Sequence, residues 1–340
     1  MSALLRPAGA PAPFTVRYST EPLARVLAEA PQELLAAISF GMAPASADPR
    51  HVQVRLQPLA GDCVEIWTST LPVTRGEEDG IRFARNSEVL FGHLQLDERD
   101  FPALDDAAFE GYRRILAFLR QQGYRHALRM WNFFPGINAH TDANSADSER
   151  YKQFSIGRAR TFEKFAFFER ALPAASAIGT YDPGLLVYFI AAREPGLQIE
   201  NPRQVPAFQY PRQYGPRPPS FSRAKLKNWG AEAHLYISGT ASVVGHESRH
   251  LDDLNAQIEE IRHNIEALLE QAAQSDARFR AATLEKLALL RVYARPPHDL
   301  AAIRAGVERH FRNVPALYLA GDICRQELLV EIEGICSVRG

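Results

Sequence analysis

Cysteine is scarce in this chain, and an excess of charge of either sign is missing. The three thiols, Cys63, Cys324 and Cys336, are odd in number and include no Cys-x-x-Cys pair, which excludes a disulfide framework and a paired-thiol redox or metal motif. Such usage fits a reducing cytosol. With 39 basic against 40 acidic residues the net charge is -1, so no global field draws the protein to nucleic acid or an anionic membrane surface. An anionic ligand must therefore be met by local cations. No apolar run approaches the length of a bilayer span, and Met1 to Phe14 holds nothing resembling a signal-peptide core. Glycine-rich phosphate loops and a Gly-x-Ser-x-Gly elbow are missing too, which argues against nucleotide and serine-nucleophile chemistry. The expectation is a cytoplasmic protein, a monomer or small homo-oligomer, with no nucleic-acid or membrane partner.

What is present is enough chain, 340 residues, for two core-forming units or one large α/β domain. Ser19-Thr20-Glu21-Pro22 reads as a helix start, followed by Leu23, Val26 and Leu27 at helical spacing. Val52, Val54, Leu56, Val64, Ile66, Ile81, Phe83 and the Val89 to Leu94 run read as strands. Asp105-Asp106 are expected to cap a helix that ends at a left-handed Gly123, and Ala127 to Phe134 returns as a strand. Thr161 is expected to cap an aromatic helix with Phe162, Phe165 and Phe168. Leu185 to Ala192 is apolar throughout, as in a strand covered on both faces. Leu254, Ile258, Ile261, Ile265, Leu268 and Ala272 mark one stripe of a helix over Leu251 to Ser275. Then come a strand over Leu287 to Ala294 and a helix over His298 to Phe311. The order β-α-β-α-β-β of this half resembles the order from Leu35 to Leu172, which suggests a worn internal duplication. The boundaries expected are a flexible stretch 1-18, an α+β domain 19-173 and a second domain 174-340.

Between Glu194 and Lys225, prolines alternate with Phe208, Tyr210, Tyr214 and Phe221, a composition that cannot form a helix. Long irregular segments in compact domains are surface insertions or binding loops. Arg203, Arg212, Arg217 and Arg223, with the tyrosines, suit a small dianion held by forked donors. His246-Glu247-Ser248-Arg249-His250 matches a zinc-hydrolase pattern that works only inside a helix. Gly245 precedes it and the apolar stripe starts at Leu254, so the motif is placed in a turn or first helical turn and no zinc site is expected.

The end of the chain reads as two strands with a polar break. Strand alternation puts Leu328, Val330 and Ile332 on one face and Leu329, Glu331 and Glu333 on the other. Spacing alone leaves open a solvated face or a catalytic pair. A carboxyl among apolar residues beside a second carboxyl stays protonated near neutrality and serves as a general acid.

Ile237-Ser238-Gly239-Thr240, Gly245, Gln257, Asn264 to Leu269 and Leu329 to Glu333 resemble the YjgF/RutC-type reactive-intermediate deaminase fold. That resemblance implies an α/β protein of the α+β kind whose C-terminal half is a β-sheet backed by two helices. It departs from the deaminases near Pro315 to Tyr318, where their substrate-binding Arg is missing.

Across nearly the whole chain, Phe154 to Arg158, Asn201 to Val205, Tyr210 to Pro216, Pro219 to Phe221, Gly239 to Ser242, Gly245 to Glu247 and Gly321 to Cys324 are similar to the chorismatases. The resemblance implies release of pyruvate from chorismate without metal or organic cofactor, with Glu331 at the position of the family's catalytic glutamate. Arg158, Arg203 and Arg223 are candidate clamps for the substrate carboxylates, and Tyr214 a donor from the Pro-rich segment 194-225. Gly239 and Cys324 together resemble the hydroxybenzoate-forming branch, Gly239 being expected to make room for the substrate ring and Cys324 to lie beside it. The product implied is 3-hydroxybenzoate, with 4-hydroxybenzoate as a second. The alternatives are hydrolysis to the 3,4-dihydroxycyclohexadiene carboxylate, or ligand binding without turnover.

Overall fold

The computed structural model describes all residues except 1-8, 30-32, 44, 166-170, 182 and 296-298, so Phe168 and His298 lie outside the described residues. Three sheets are built in succession. The first, in the order β1-β5-β2-β3, joins β1 (Phe14–Ser19), β2 (Leu34–Phe40), β3 (His51–Val54) and β5 (Val64–Ser69). Helix α1 (Leu23–Glu29) covers it through Val26.

The second sheet comprises β6 (Thr74–Glu78), β7 (Ile81–Arg85), β8 (Val89–Leu96), β9 (His126–Pro135), β10 (Ala174–Thr180) and β11 (Leu185–Ala192), and carries α2 (Leu104–Gln122) and α3 (Arg150–Lys164). The third comprises β12 (Leu197–Ile199), β13 (Ala224–Asn228), β14 (Glu232–Thr240), β17 (Leu287–Ala294), β18 (Ala316–Ala320) and β19 (Val330–Arg339), with α4 (Leu254–Ser275) and α5 (Leu300–His310). A short β4 (Gln57–Pro58) extends its edge, and β15 (Val243–Val244) with β16 (Glu247–Ser248) forms a separate ribbon.

The strand orders β10-β9-β11-β8-β7-β6 and β18-β17-β19-β14-β13-β12 are the same path traced twice. In each unit one strand pair is parallel, β9 with β10 and β17 with β18, and the intervening helix makes the crossover that parallel pairing demands. The duplication expected from the element order is thus present, but its frame is Thr74–Ala192 and Leu197–Arg339 rather than one beginning at Leu35. A boundary at 173/174 would cut β10 and β11 from the sheet they belong to. Residues 1-18 are also not uniformly flexible: Phe14–Ser19 pairs with β5 along its whole length.

Strand alternation explains how the layers meet. Inner faces of all three sheets share one core that includes Trp67, Trp131, Tyr188, Tyr236 and Tyr293. The outer face of the second sheet packs on α2 and α3, and that of the third on α4 and α5. Ile258, Ile261, Ile265 and Leu268 on α4 are at most 1% exposed; at about 1.5 to 3 kcal/mol for each buried side chain, this stripe supplies on the order of 10 kcal/mol of gross transfer free energy. α2 ends as expected at Gly123, in the left-handed region with φ 77°. Its start differs, since Ala103 occupies the N-cap while Asp105 and Asp106 lie in the first turn and pair with Arg160. Thr161 is not a cap either: it sits inside α3, its hydroxyl bonded to the carbonyls of Gly157 and Phe109, because the helix already starts at Arg150.

Candidate active site

The two repeated units meet along β10 and β14. The Ser238 hydroxyl accepts from the Ala175 amide at 2.9 Å and donates to the Ser222 carbonyl at 2.6 Å, and Gly179 and Asp322 exchange backbone bonds across the seam. A cleft opens there in two compartments. The outer one has a volume of about 340 Å³ and includes Lys152, Tyr210, Gln213, Tyr214, Arg223, Arg325 and Glu327 in its wall. The inner one, about 40 Å³, is lined by Phe154, Ser155, Arg158 and Ser176. Tyr151, Pro219, Phe221, Gly239, Cys324 and Glu331 line both, so these six form the waist between the compartments.

Glu331 reaches the waist because β19 alternates: Val330 and Ile332 face the helices, Glu331 and Glu333 face inward. The sheet is irregular opposite it, where the β14–β19 register shifts between Ile237 and Thr240, and bulges of this kind re-aim neighbouring groups. The shift brings Gly239 against the acid. A Cβ at Gly239 would lie 1.9 Å from Glu331 Oε1 and 2.8 Å from Ser176 Oγ. The space that glycine provides is therefore occupied by the carboxyl of Glu331, which corrects the expectation that Gly239 makes room for the ring.

Burial pushes the Glu331 carboxyl up to about 8, and the neighbouring charge of Glu333 pushes the same way, against Arg129 and Arg223. A group so placed is an acid at neutral pH. Burial likewise raises the Cys324 thiol to about 12 and the Tyr151 phenol well above its ordinary range. Both remain neutral at physiological pH, so Cys324 presents a thiol and not a nucleophilic thiolate.

Arg158 lies buried in the inner compartment, between the rings of Tyr112 at 5.0 Å and Phe162 at 5.5 Å. Its Nε and Nη2 have no hydrogen-bond partner among the described residues, a costly state for a buried guanidinium that an anion in the cleft would relieve. Arg223 donates from Nη2 to the Tyr210 hydroxyl at 2.6 Å and leaves Nε unpartnered. Tyr214 lines the outer compartment, its hydroxyl 3.1 Å from His246 Nδ1. Arg203 does not join them: its guanidinium bonds Glu260 and Asn264 on α4. Arg203 thus anchors the start of the Pro-rich segment and does not face the cleft with the other two arginines.

The His246 to His250 motif lies outside α4 as expected, but its centre, Glu247–Ser248, is the β16 strand of a ribbon rather than a turn or first helical turn. His246 faces Tyr214 and His250 faces Glu260, so the two imidazoles do not converge on one point.

Sequence reasoning missed several contributors. Tyr151 belongs to the waist because α3 begins earlier than expected. Arg325 sits 4.2 Å from the ring centroid of Tyr214 and 5.4 Å from that of Tyr210, bracing the Pro-rich segment. Gln257 and Asn264, the polar breaks in the apolar α4, tie loops to the site. Gln257 accepts from the Leu329 amide and donates to the Glu327 carbonyl, and Asn264 donates to the carbonyl of Val243. A polar residue within an apolar stripe was the available signal.

No helix among the described residues is long and apolar enough to cross a membrane. Residues 65-191 match the family model for the N-terminal part of FkbO/Hyg5-like chorismatases, a span that ends within β11. The chain is 36% identical to a 3-hydroxybenzoate synthase of Streptomyces hygroscopicus, over 82% of each protein. It is 37% identical to a chorismatase of Streptomyces rapamycinicus, over 80% of this chain and 82% of that one. A chorismatase crystal structure superposes with a TM-score of 0.84 at 29% identity, covering 96% of this chain and 98% of that chain. With relatives this similar over four-fifths of its length, and a fold that follows theirs nearly from end to end, the chain belongs to the chorismatase family.

Proposed function

We propose that the protein is a cytoplasmic enzyme, a monomer or small homo-oligomer, that converts chorismate to pyruvate and 3-hydroxybenzoate, with Glu331 as the proton donor. The observation that carries this reading is the position of Glu331, an acid at neutral pH, at the waist between two compartments that each hold a guanidinium with unsatisfied donors. Chorismate has a matching layout, a carboxylate at each end and an enol ether between them. The inner compartment is too small for a ring, so the enolpyruvyl carboxylate goes to Arg158 and the ring carboxylate to Arg223, with Tyr214 donating to a ring-side oxygen.

Glu331 gives its proton to the enol methylene carbon, and the carboxylate that remains stabilises the oxocarbenium charge. The C4 hydroxyl oxygen then attacks C3 as the C3–O bond breaks. The ether oxygen leaves as the keto oxygen of pyruvate, and the hydroxyl proton returns to Glu331. The resulting epoxide opens at C4–O, C3 loses its proton, and the ring aromatises to 3-hydroxybenzoate; opening at C3–O instead gives 4-hydroxybenzoate. No water is consumed. Cys324, as a neutral thiol, walls the waist beside the reacting atoms.

The test is to incubate purified protein with chorismate in ¹⁸O-labelled water and resolve the products by chromatography and mass spectrometry. Equimolar pyruvate and unlabelled 3-hydroxybenzoate are expected. The dihydroxycyclohexadiene acid as the product, with water adding at the oxocarbenium carbon and its oxygen entering pyruvate, would assign the hydrolytic branch, and binding without turnover would remove the enzymatic reading.

A further inference from the structure

Two residues beyond Glu331, on the same face of β19, Glu333 is held by three hydrogen bonds and a further ion pair. Its Oε1 accepts from Trp131 Nε1 at 2.6 Å and lies 3.3 Å from Arg291, and its Oε2 accepts from Arg129 at 2.6 Å and from the Ser176 hydroxyl at 2.5 Å. Indole and guanidinium nitrogens only donate, so both oxygens serve as acceptors, and Glu333 is buried in ion pairs with Arg129 and Arg291. Arg291 is held in turn by both oxygens of Glu65, at 2.6 and 2.8 Å. The cluster therefore draws on all three sheets and is electrically balanced. Its other end touches the seat of the acid, since Ser176 Oγ accepts from the Gly239 amide at 3.0 Å, and Gly239 is the residue against which the Glu331 carboxyl rests.

Resting on the reading of Glu331 as the proton donor, we propose that Glu333 and Ser176 are its positioning residues: Glu333, locked in its ion pairs on the same strand face, holds Ser176, and Ser176 fixes the Gly239 backbone beneath the acid. The other groups facing Glu331 are Arg129 from β9 and Arg223 from the Pro-rich segment, which favour the carboxylate, together with Arg158 and Tyr151 from α3, Cys324 from the loop before β19, and Tyr293, paired across on β17. Burial keeps Tyr151, Cys324 and Tyr293 neutral. The charge of Glu333 offsets the arginines. A unit charge two residues away on one strand face, about 6.5 Å, moves a carboxyl by about one to two pH units at an effective dielectric constant of about 20.

The experiment is the pH profile of kcat/KM for chorismate in four variants. Glu333→Gln is expected to move the basic limb down by about one to two units, with activity recovering on the acid side of the new limb. Arg129→Met is expected to move it up, and the double variant, which removes the pair together, to return it near the wild-type position. Glu333→Asp, which keeps the charge, is expected to keep the limb while lowering kcat. A ¹³C titration of the Glu331 carboxyl, identified as the signal lost in Glu331→Gln, should show the same shifts without turnover and serves any folded variant that is inactive. Loss of activity at every pH with an unmoved limb and an unmoved carbon titration would reduce the cluster to a structural one and overturn the proposal. Failure of the wild type to release pyruvate would overturn the reading of the site instead.

Discussion

Replacing Gly239 by Ala adds one methyl group and tests where the acid must sit. The new Cβ would lie 1.9 Å from Glu331 Oε1, and contacts below 3.0 Å are not tolerated, so the carboxyl must retreat by at least 1.1 Å. On its other side lies the cleft, because Glu331 lines both compartments. The carboxyl therefore swings toward the substrate and out of line with the enol methylene. A misplacement of about 1 Å costs about a hundredfold in rate, and the loss should fall on kcat more than on KM. Since the displaced group is the free end of a side chain, the fold should survive, which a thermal melt alongside pyruvate-release kinetics checks. Combining the change with Cys324→Val alters both sides of the waist and is expected to divert product toward the non-aromatic dihydrodiol. An unchanged kcat in folded Gly239→Ala would refute the claim that this glycine seats the acid.

With Glu331 raised to about 8, chiefly by burial and next by Glu333, the reactive protonated form prevails below that pH; kcat/KM should be flat through neutrality and fall tenfold per unit above about 8, and a fall already under way at pH 6 would contradict the assignment. Arg158→Ala and Arg223→Ala should each weaken chorismate use by about 1.5 to 3 kcal/mol, mainly in KM, with no rescue by salt; unchanged kcat/KM in both would move the carboxylate sites elsewhere. Arg203→Ala should leave kcat/KM near the wild-type value and lower stability by on the order of 1 kcal/mol, because its partner Glu260 is buried; a selective rise in KM without a lower melting temperature would restore Arg203 as a clamp.

Short-range rules carried far in this chain. The stripe on α4 and the alternation on β19 were legible because each is a single periodic pattern, which put Glu331 and Glu333 on one face while spacing alone left open whether that face is solvated or buried. The duplication was visible as an order of elements, but its frame was not. The strands that set the frame, β10 and β11, fall just after the boundary expected at 173/174, and strand pairing is decided by partners distant in sequence. Arg203 was misread for a related reason: its neighbours in sequence are loop residues, while the partner that claims it lies on α4. Gly239 was singled out for room at the ring, and the register shift that turns it toward Glu331 instead arises between β14 and β19 and leaves no local mark. The Glu333 cluster draws partners from β9, β10 and β17, so a pair of glutamates on one face gave no sign that one lines the cleft and the other is locked in ion pairs.

The proposed reaction turns on Glu331. The measurement is the rate of pyruvate release from chorismate by Glu331→Gln beside the wild type, with circular dichroism and melting temperature confirming that both are folded. The amide preserves the shape of the side chain and cannot deliver the proton, so a loss of about two to four orders of magnitude is predicted. A folded Glu331→Gln protein that releases pyruvate at close to the wild-type rate would contradict the mechanism.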